Sequence, residues 1–393
     1  MENMQPFYRD TWAEVDLNAI GVNVRNIKAG LAENTAFMAV VKANAYGHGA
    51  VDVAAEALDA GAEYLGVAIL DEAVALRRAG IMAPLLVMGM IRPSDIVLAS
   101  EMNIAVTAFQ TDWLSEAEAY LQERDMTVVC HVKIDSGMGR LGVRTEEETQ
   151  QLAWALKESR SFAVEGLYTH LATADELNTA YFEKQKQWSD RLMVQFEKDY
   201  GGDIPLKHCS NSAGALRFHP EGYNLVRVGI SMYGLVPSPE IKPVIKPELE
   251  EAFSLHSRIT HVKKLEPGEG ISYGITYKTE KNEWIATVPI GYADGWIRKN
   301  QDGDVLVNGE RARIVGRICM DQMMILLEEP VKVGTEVTLI GKNGGIFLPM
   351  DEVAARLDTI NYEIPCTITS RVPRVVKKEG EILHQHNEIL DDI

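Results

Sequence analysis

Between residue 17 and about residue 235 the chain switches eight times between a short apolar run and a helix-periodic segment, and this alternation limits the fold more than any other feature. The runs are Phe37 to Lys42, Tyr64 to Ile69, Leu85 to Met88, Ile104 to Val106, Val128 to Ile134, Val164 to Thr169, Leu206 to Ser210 and Leu225 to Val228. Most are continuously apolar, as strands covered on both faces should be. Leu17, Ile20, Val24, Ile27 and Leu31 mark one helix face, with Asp16 as its N-cap. Val51, Ala54 and Leu58 line a second helix that should stop at Gly61, and Asp71 to Ala79 form a third closed by Gly80. Eight such units in about 220 residues predict an α/β fold, a closed (β/α)8 TIM barrel. An open doubly wound sheet is the competitor. It normally has fewer strands, and its Gly-x-Gly-x-x-Gly turn after the first strand is missing here.

Pro237, Pro239, Pro243 and Pro247 then interrupt the chain and read as a linker. Beyond them the pattern turns to β-structure. Asp304 to Val307 and Arg311 to Val315 flank Asn308-Gly309, a two-residue hairpin signal. Thr335 to Gly341 adds a strand and Asp351 to Leu357 a short helix, while Thr11 to Val15 should pair with this second domain. At 393 residues two domains are expected. We place the barrel at residues 12–240, and residues 1–11 with 241–393 in a mostly β C-terminal domain.

The formal charge of −18 argues against a nucleic-acid partner, which normally needs a basic stripe. Cys130, Cys209, Cys319 and Cys366 form no Cys-x-x-Cys pair, so neither a disulfide framework nor a metal site is expected, and reduced thiols in a cytoplasm fit better. No secretory leader is read at Met1–Pro6 and no apolar stretch is long enough to cross a bilayer, so a cytoplasmic protein without a membrane partner is expected.

The chemistry begins at Lys42. Val40-Val41-Lys42 is followed at once by Ala-Asn-Ala-Tyr46-Gly-His48-Gly49. An amine at the end of a buried strand can capture a carbonyl compound as an imine, because desolvation leaves part of it neutral. Alone, a strand-ending lysine more often just reaches solvent. In a barrel, however, the C-terminal strand ends share one site, which would hold Lys42, Arg140, His170, Asn211, Ser212, Arg227, Gly229 and Ile230. His208-Cys-Ser-Asn-Ser-Ala-Gly214 is small, polar and helix-initiating, and exposed amides with a hydroxyl suit a phosphate. Such a turn alone is usually a cap. Beside an imine-forming lysine it points to a phosphate-bearing aldehyde, pyridoxal 5′-phosphate.

Several stretches together resemble bacterial alanine racemases over nearly the whole chain. They are Ala39-Val-Val-Lys42-Ala-Asn-Ala-Tyr46-Gly-His-Gly49, Lys133-Ile-Asp-Ser-Gly-Met-Gly-Arg140, His208-Cys-Ser-Asn-Ser212, Arg227-Val-Gly-Ile230, Ile271-Ser-Tyr273-Gly, Gly291-Tyr292 and Ile318-Cys-Met320-Asp321. The resemblance implies a pyridoxal-phosphate barrel, a C-terminal β domain and a homodimer whose sites combine both subunits. It implies that Lys42 holds the cofactor and acts as base on one face of the substrate α-carbon, with Tyr273 of the partner subunit on the other. Arg227 would face the pyridine nitrogen with His170 beside it, and Arg140 and the Met320 backbone would receive the substrate carboxylate. Tyr46 and Tyr362 resemble tyrosines at the phosphate, and Tyr292 one at the entrance. Lys133 matches a position that is carbamylated in some members; otherwise it is an ordinary lysine paired with Asp135 or another acid. The activity implied is interconversion of L- and D-alanine, supplying D-alanine for peptidoglycan. The alternatives are a broader serine/alanine racemase, a non-catalytic carrier on the same barrel, and a decarboxylase of longer basic amino acids. The continuation through Tyr273 speaks against the carrier, and Arg140 against the decarboxylase.

Overall fold

The computed structural model describes residues 7–218 and 220–390. The start Met1–Pro6, where no leader was expected, lies outside them. Its contacts divide the chain into two compact units, one of residues Ile20–Ala45 and Ala50–Glu250, the other of the chain up to Ala19 with Tyr46–Gly49 and Glu251 onward.

In order along the chain, strand β1 spans Thr11–Asp16 and the barrel strands are β2 Ala36–Val40, β3 Tyr64–Val67, β4 Leu85–Val87, β5 Val106–Ala108, β6 Val128–Lys133, β7 Phe162–Tyr168, β8 Leu206–His208 and β9 Leu225–Val228. All eight expected barrel strands are present, shifted by a few residues at their ends. They pair in parallel as β4-β3-β2-β9 and β5-β6-β7-β8. A parallel bridge between Leu86 and Ala105 joins the two arcs on one side. On the other, Asn224 N donates to Lys207 O at 3.0 Å and Arg227 N to Ser210 O at 2.9 Å. The barrel is closed.

Its interior is layered. Met38, Leu86, Ala105 and Leu225 form an apolar layer, with Tyr64 and Leu206 packed against it. A second, polar group is buried on strands β5, β6, β8 and β9, comprising Thr107, His131, Lys133, His208 and Arg227. Buried polar groups persist only where their hydrogen bonds are met, so this layer signals function. The helix after β1 runs over Leu17–Ala29, and Asp16 Oδ1 caps it by accepting from Asn18 N at 2.9 Å.

The proline segment is no free linker. Ile241 is fully buried in a cluster with Leu171, Phe182 and Ala213. Glu250 N donates to Asn23 Oδ1 at 2.9 Å, and Asn23 Nδ2 donates back to Glu250 O at 2.8 Å. The barrel unit therefore extends to Glu250 rather than 240. At the other end, residues 12–19 leave the barrel, because β1 is hydrogen-bonded on both sides within the β unit.

That unit contains β10 Phe253–Arg258, β11 His261–Leu265, β12 Gly270–Ile271, β13 Tyr277–Lys278, β14 Glu283–Val288, β15 Asp304–Val307, β16 Glu310–Arg313, β17 Met323–Leu327, β18 Glu336–Asn343, β19 Ile346–Leu348, β20 Arg374–Lys378 and β21 Glu381–His386. Its main sheet runs β16-β15-β18-β10-β1-β20-β21. β1 lies antiparallel to β10 and parallel to β20, as expected for a strand that joins this domain. Asn308 (φ 50°) and Gly309 (φ 81°) form the β15–β16 turn with the two positive φ angles that a type I′ hairpin needs. Gly47 in the same unit has φ +83°, and a Cβ there would sit 2.2 Å from Pro365 O. By contrast Gly80, at φ +85°, has open space around it. Gly47→Ala combines left-handed strain with crowding and should cost about 2–5 kcal/mol. Gly80→Ala should cost about 1–2 kcal/mol. Urea unfolding of the two variants checks this, and equal losses would show that the Pro365 contact contributes nothing.

Candidate active site

Strand β2 delivers Lys42, but the strand ends at Val40 and the chain then turns the wrong way. Ala43, Asn44 and Ala45 have φ near 52° and ψ near 50°, so Lys42–Tyr46 is a left-handed turn without a glycine. Each such residue costs about 1–2 kcal/mol. Specific bonds hold it: Ala45 N donates to Val41 O at 2.9 Å and Ala50 N to Asn44 Oδ1 at 2.8 Å. Glu72 braces the turn, its Oε1 accepting from Ala43 N at 2.6 Å and its Oε2 from Ala68 N at 2.8 Å. Neither the turn nor Glu72 is visible in the sequence, since Ala-Asn-Ala signals no positive φ. Strain concentrated beside a reactive side chain is a common mark of a functional site.

Arg227 on β9 is buried, and no carboxylate lies within ion-pair distance of it among the described residues. Its NH1 donates to His208 Nδ1 at 2.9 Å and its NH2 to Thr169 O at 2.7 Å. His170 Nδ1 stands 3.3 Å from NH2. Burial pulls Arg227 below the usual guanidinium range, yet an arginine stays charged. Burial first, then Arg227, Lys133, Arg140 and Lys42, hold His170 well below the ordinary imidazole range. The charges of Arg227, Lys133, Arg140 and Lys42 thus all reach His170 near the strand ends.

Lys133 is buried on β6 with its ammonium 4.1 Å from the centre of the Tyr168 ring. Burial, then Arg227 and Arg140, push it well below its ordinary range, against the opposing pull of Asp135. No carboxylate pairs with it among the described residues, so the reading of an ordinary Lys133–Asp135 ion pair is not borne out. Asp135 instead faces Arg144 at 3.6 Å and caps the turn through the amides of Gly137 and Gly139. Arg140 is exposed and lines a cleft of about 370 Å³ with Asp135, Phe109 and Arg144.

Asn211 acts as the cap of the short helix Ser212–Arg217, its Oδ1 accepting from Gly214 N at 3.0 Å. Ser212 Oγ accepts from Gly229 N at 2.9 Å, which leaves its own proton to donate. Ser231 Oγ is buried with no partner among the described residues. Two unspent hydroxyls beside Gly229 and Ile230 fit the oxygens of a phosphate group. Ser231 was not singled out in the sequence, where a serine after Gly-Ile carries no signal.

In the β unit, the Tyr46 and Tyr362 rings lie 6.2 Å apart. Tyr273 follows Ser272, whose φ is +64°, and is 71% exposed. It lines a groove of about 570 Å³ with Ser272, Cys319 and Met320. Tyr292 N donates to Cys319 O at 3.1 Å and Ala293 N to Met320 O at 3.0 Å. Gly291 is required there, since a Cβ would meet Met320 O at 2.3 Å. Tyr273 and Met320 therefore share this groove, with the Tyr292 backbone bonded to the Cys319 that also lines it, while Lys42 and Arg227 belong to the other unit.

Fold and site together define a two-unit barrel protein with a strand-end lysine, a cationic strand-end cluster and a phosphate-fitting pair of hydroxyls. Residues 15–237 match the alanine racemase N-terminal domain and residues 252–376 the alanine racemase C-terminal domain. The chain is 55% identical over 386 residues to alanine racemase of Geobacillus kaustophilus, covering 98% of this chain and 99% of that one. It is 48% identical to alanine racemase 1 of Bacillus subtilis, with 98% of each covered. A solved alanine racemase from Bacillus anthracis with bound L-Ala-P superposes with a TM-score of 0.95 at 49% identity, over 99% of this chain and 100% of that one. The chain belongs to the alanine racemase family. Among the described residues no helix is long and apolar enough to cross a membrane.

His170 and His208 both have depressed folded-state values. The native protein keeps them neutral, whereas the unfolded chain protonates them below its ordinary histidine value. Stability should therefore be present at neutral pH and fall as pH drops through about 6.5, by up to about 1.4 kcal/mol per pH unit for each group. His170→Gln should remove one such contribution from the slope between about pH 6 and pH 5, measured by urea unfolding. An unchanged slope would mean that His170 is protonated in the native state.

Proposed function

We propose that this protein interconverts L- and D-alanine using pyridoxal 5′-phosphate, as a cytoplasmic homodimer supplying D-alanine for peptidoglycan. The observation that carries this reading is the convergence of Lys42, Lys133, Arg140 and Arg227 around His170 at the barrel strand ends. When bound, the cofactor supplies an aldehyde for amine capture and a ring that withdraws electrons from the substrate α-carbon. Lys42 would hold it, with Ser212, Gly229, Ile230, Asn211, Tyr46 and Tyr362 toward its phosphate. Arg227 does not readily surrender a proton, so it would bond the ring nitrogen without protonating it and discourage side reactions such as transamination.

Racemisation removes a proton from one face of a carbon and returns one to the other, so two groups on opposite faces suffice. Lys42 would serve one face and Tyr273 of the partner subunit the other, with positive charge helping the phenol act as a base. Arg140 and the Met320 backbone would hold the substrate carboxylate, and Tyr292 would flank the entrance. Lys133, buried among cations without a carboxylate partner among the described residues, suits carbamylation, which would convert it to an anion beside Arg140. Native mass spectra in bicarbonate should then show one added CO2 that Lys133→Ala lacks.

Incubation of the pure protein with cofactor and either enantiomer of alanine should converge on equal amounts of both, read by chiral chromatography. L-Serine in the same assay measures how well a small pocket rejects a hydroxyl. A protein that leaves both alanine enantiomers unchanged would end this reading. Lys42→Ala should abolish turnover and the visible absorbance of bound cofactor. Mixing Lys42→Ala with Tyr273→Phe subunits should restore roughly a quarter of wild-type activity, since half of statistically mixed dimers would carry one intact site. No restoration would place both residues in one subunit.

A further inference from the structure

Arg227 is a buried cation with no carboxylate beside it among the described residues, and the hydrogen bonds leading away from it run in one direction only. A guanidinium can only donate. Its NH1 faces His208 Nδ1 at 2.9 Å, so that nitrogen accepts and His208 carries its proton on Nε2. His208 Nε2 lies 2.9 Å from His131 Nδ1, which must in turn accept. His131 then bears its proton on Nε2, 2.9 Å from Glu165 Oε2. Both imidazoles are fully buried, whereas the Glu165 side chain is 35% exposed.

The backbone is shaped for this chain of contacts. On β6 and β7, Cys130 pairs with Val164 but His131 pairs with Gly166, so Glu165 is the extra residue of a β-bulge. Bulges re-aim a side chain that strand alternation would point elsewhere. Gly166 has to lack a side chain, because a Cβ there would meet His131 Nδ1 at 2.3 Å. The Tyr168 ring stacks on His208 with centroids 4.7 Å apart and planes 5° apart, which fixes the imidazole plane.

We propose that Glu165 is a positioning residue for Arg227, acting as its remote counter-charge through His208 and His131. The inference rests on the functional reading for the role of Arg227, while the hydrogen-bond chain itself stands on the protein alone. The carboxylate polarises each imidazole in turn and so strengthens the acceptor that holds the guanidinium. Chains of hydrogen bonds in a low-dielectric interior reinforce one another in this way.

The test compares wild type with Glu165→Gln, Glu165→Leu and Gly166→Ala as cofactor-loaded enzymes, and repeats the spectra without cofactor. Readouts are the ¹⁵N and ¹H resonances of the two imidazoles in histidine-labelled protein, kcat and KM for alanine, and the melting temperature. Glu165→Gln keeps an acceptor but loses the charge; it should move the resonances of His208 as well as His131 and lower kcat several-fold. Glu165→Leu should lower kcat by about tenfold to a hundredfold, the range typical when a group orienting a ligating residue is removed, with KM within about twofold. Gly166→Ala should reproduce the His208 shift with Glu165 intact, which guards against a Glu165 variant that merely fails to fold. His208 resonances that stay in place in every variant, or an unchanged kcat in Glu165→Leu, would overturn the proposal. Wild-type protein that does not racemise alanine would instead sink the functional reading, with the resonance shifts still reporting on the chain.

Discussion

A guanidinium sealed inside a parallel barrel sets the terms for everything around it. Arg227 cannot shed its charge and has no neighbouring carboxylate among the described residues, so its donors are met by carbonyl oxygens and neutral imidazole nitrogens. That demand explains why the barrel interior is divided. The Met38–Leu86–Leu225 layer provides ordinary apolar packing, and the layer of Thr107, His131, Tyr168 and His208 surrounds the cation. Burial first, and the Arg227 charge after it, hold His170, His208 and Lys133 well below their ordinary ranges, while burial raises Tyr168 to about 12 despite the opposing pull of its Thr107 hydrogen bond and of Arg227.

The second constraint is conformational. A buried strand that simply continued past Val40 would carry the next residues along the strand direction. The left-handed turn at Lys42–Tyr46 instead reverses the local hand, and its unfavourable backbone is offset by Glu72 and Asn44 contacts. Such a turn leaves few alternative conformations for the residue that precedes it. Precise placement of an amine matters because proton transfer falls steeply as donor and acceptor separate. On the proposed reading, strain and the imine-forming amine would meet in this one turn.

Much of the fold was legible because its signals are local and repeated. Eight apolar runs, the Asp16 cap and the Asn308-Gly309 turn each rest on a few adjacent residues, and each is found where periodicity placed it. The boundaries were less legible. The proline segment looks like a linker, yet Ile241 is buried and Glu250 is bonded to Asn23, contacts far apart in sequence. In the site, the strand-end cations could be placed once the barrel was assumed. The buried chain from Arg227 to Glu165 could not, because a histidine within a strand has no periodic signature and a bulge depends on the neighbouring strand. Gly166 was the one clue, and its meaning appears only with the His131 ring above it.

On the proposed reading, the division of side chains between the two units would follow from the geometry that inversion requires. Barrel strands present their functional groups from one end, so on the proposed reading Lys42, Arg227 and His170 would meet the cofactor from that end. A proton needed on the opposite face has to come from a group that the strand ends do not supply. Tyr273 has the chemistry for that role, and at 71% exposure its phenol is not consumed by packing in its own unit. A tyrosine left open on a groove shared with Met320 is a poor contributor to the stability of that unit, where burial of its ring would gain roughly 1.5–3 kcal/mol. Its position makes physical sense if that surface is completed by another molecule of the same chain, which covers the ring and receives its proton chemistry at once.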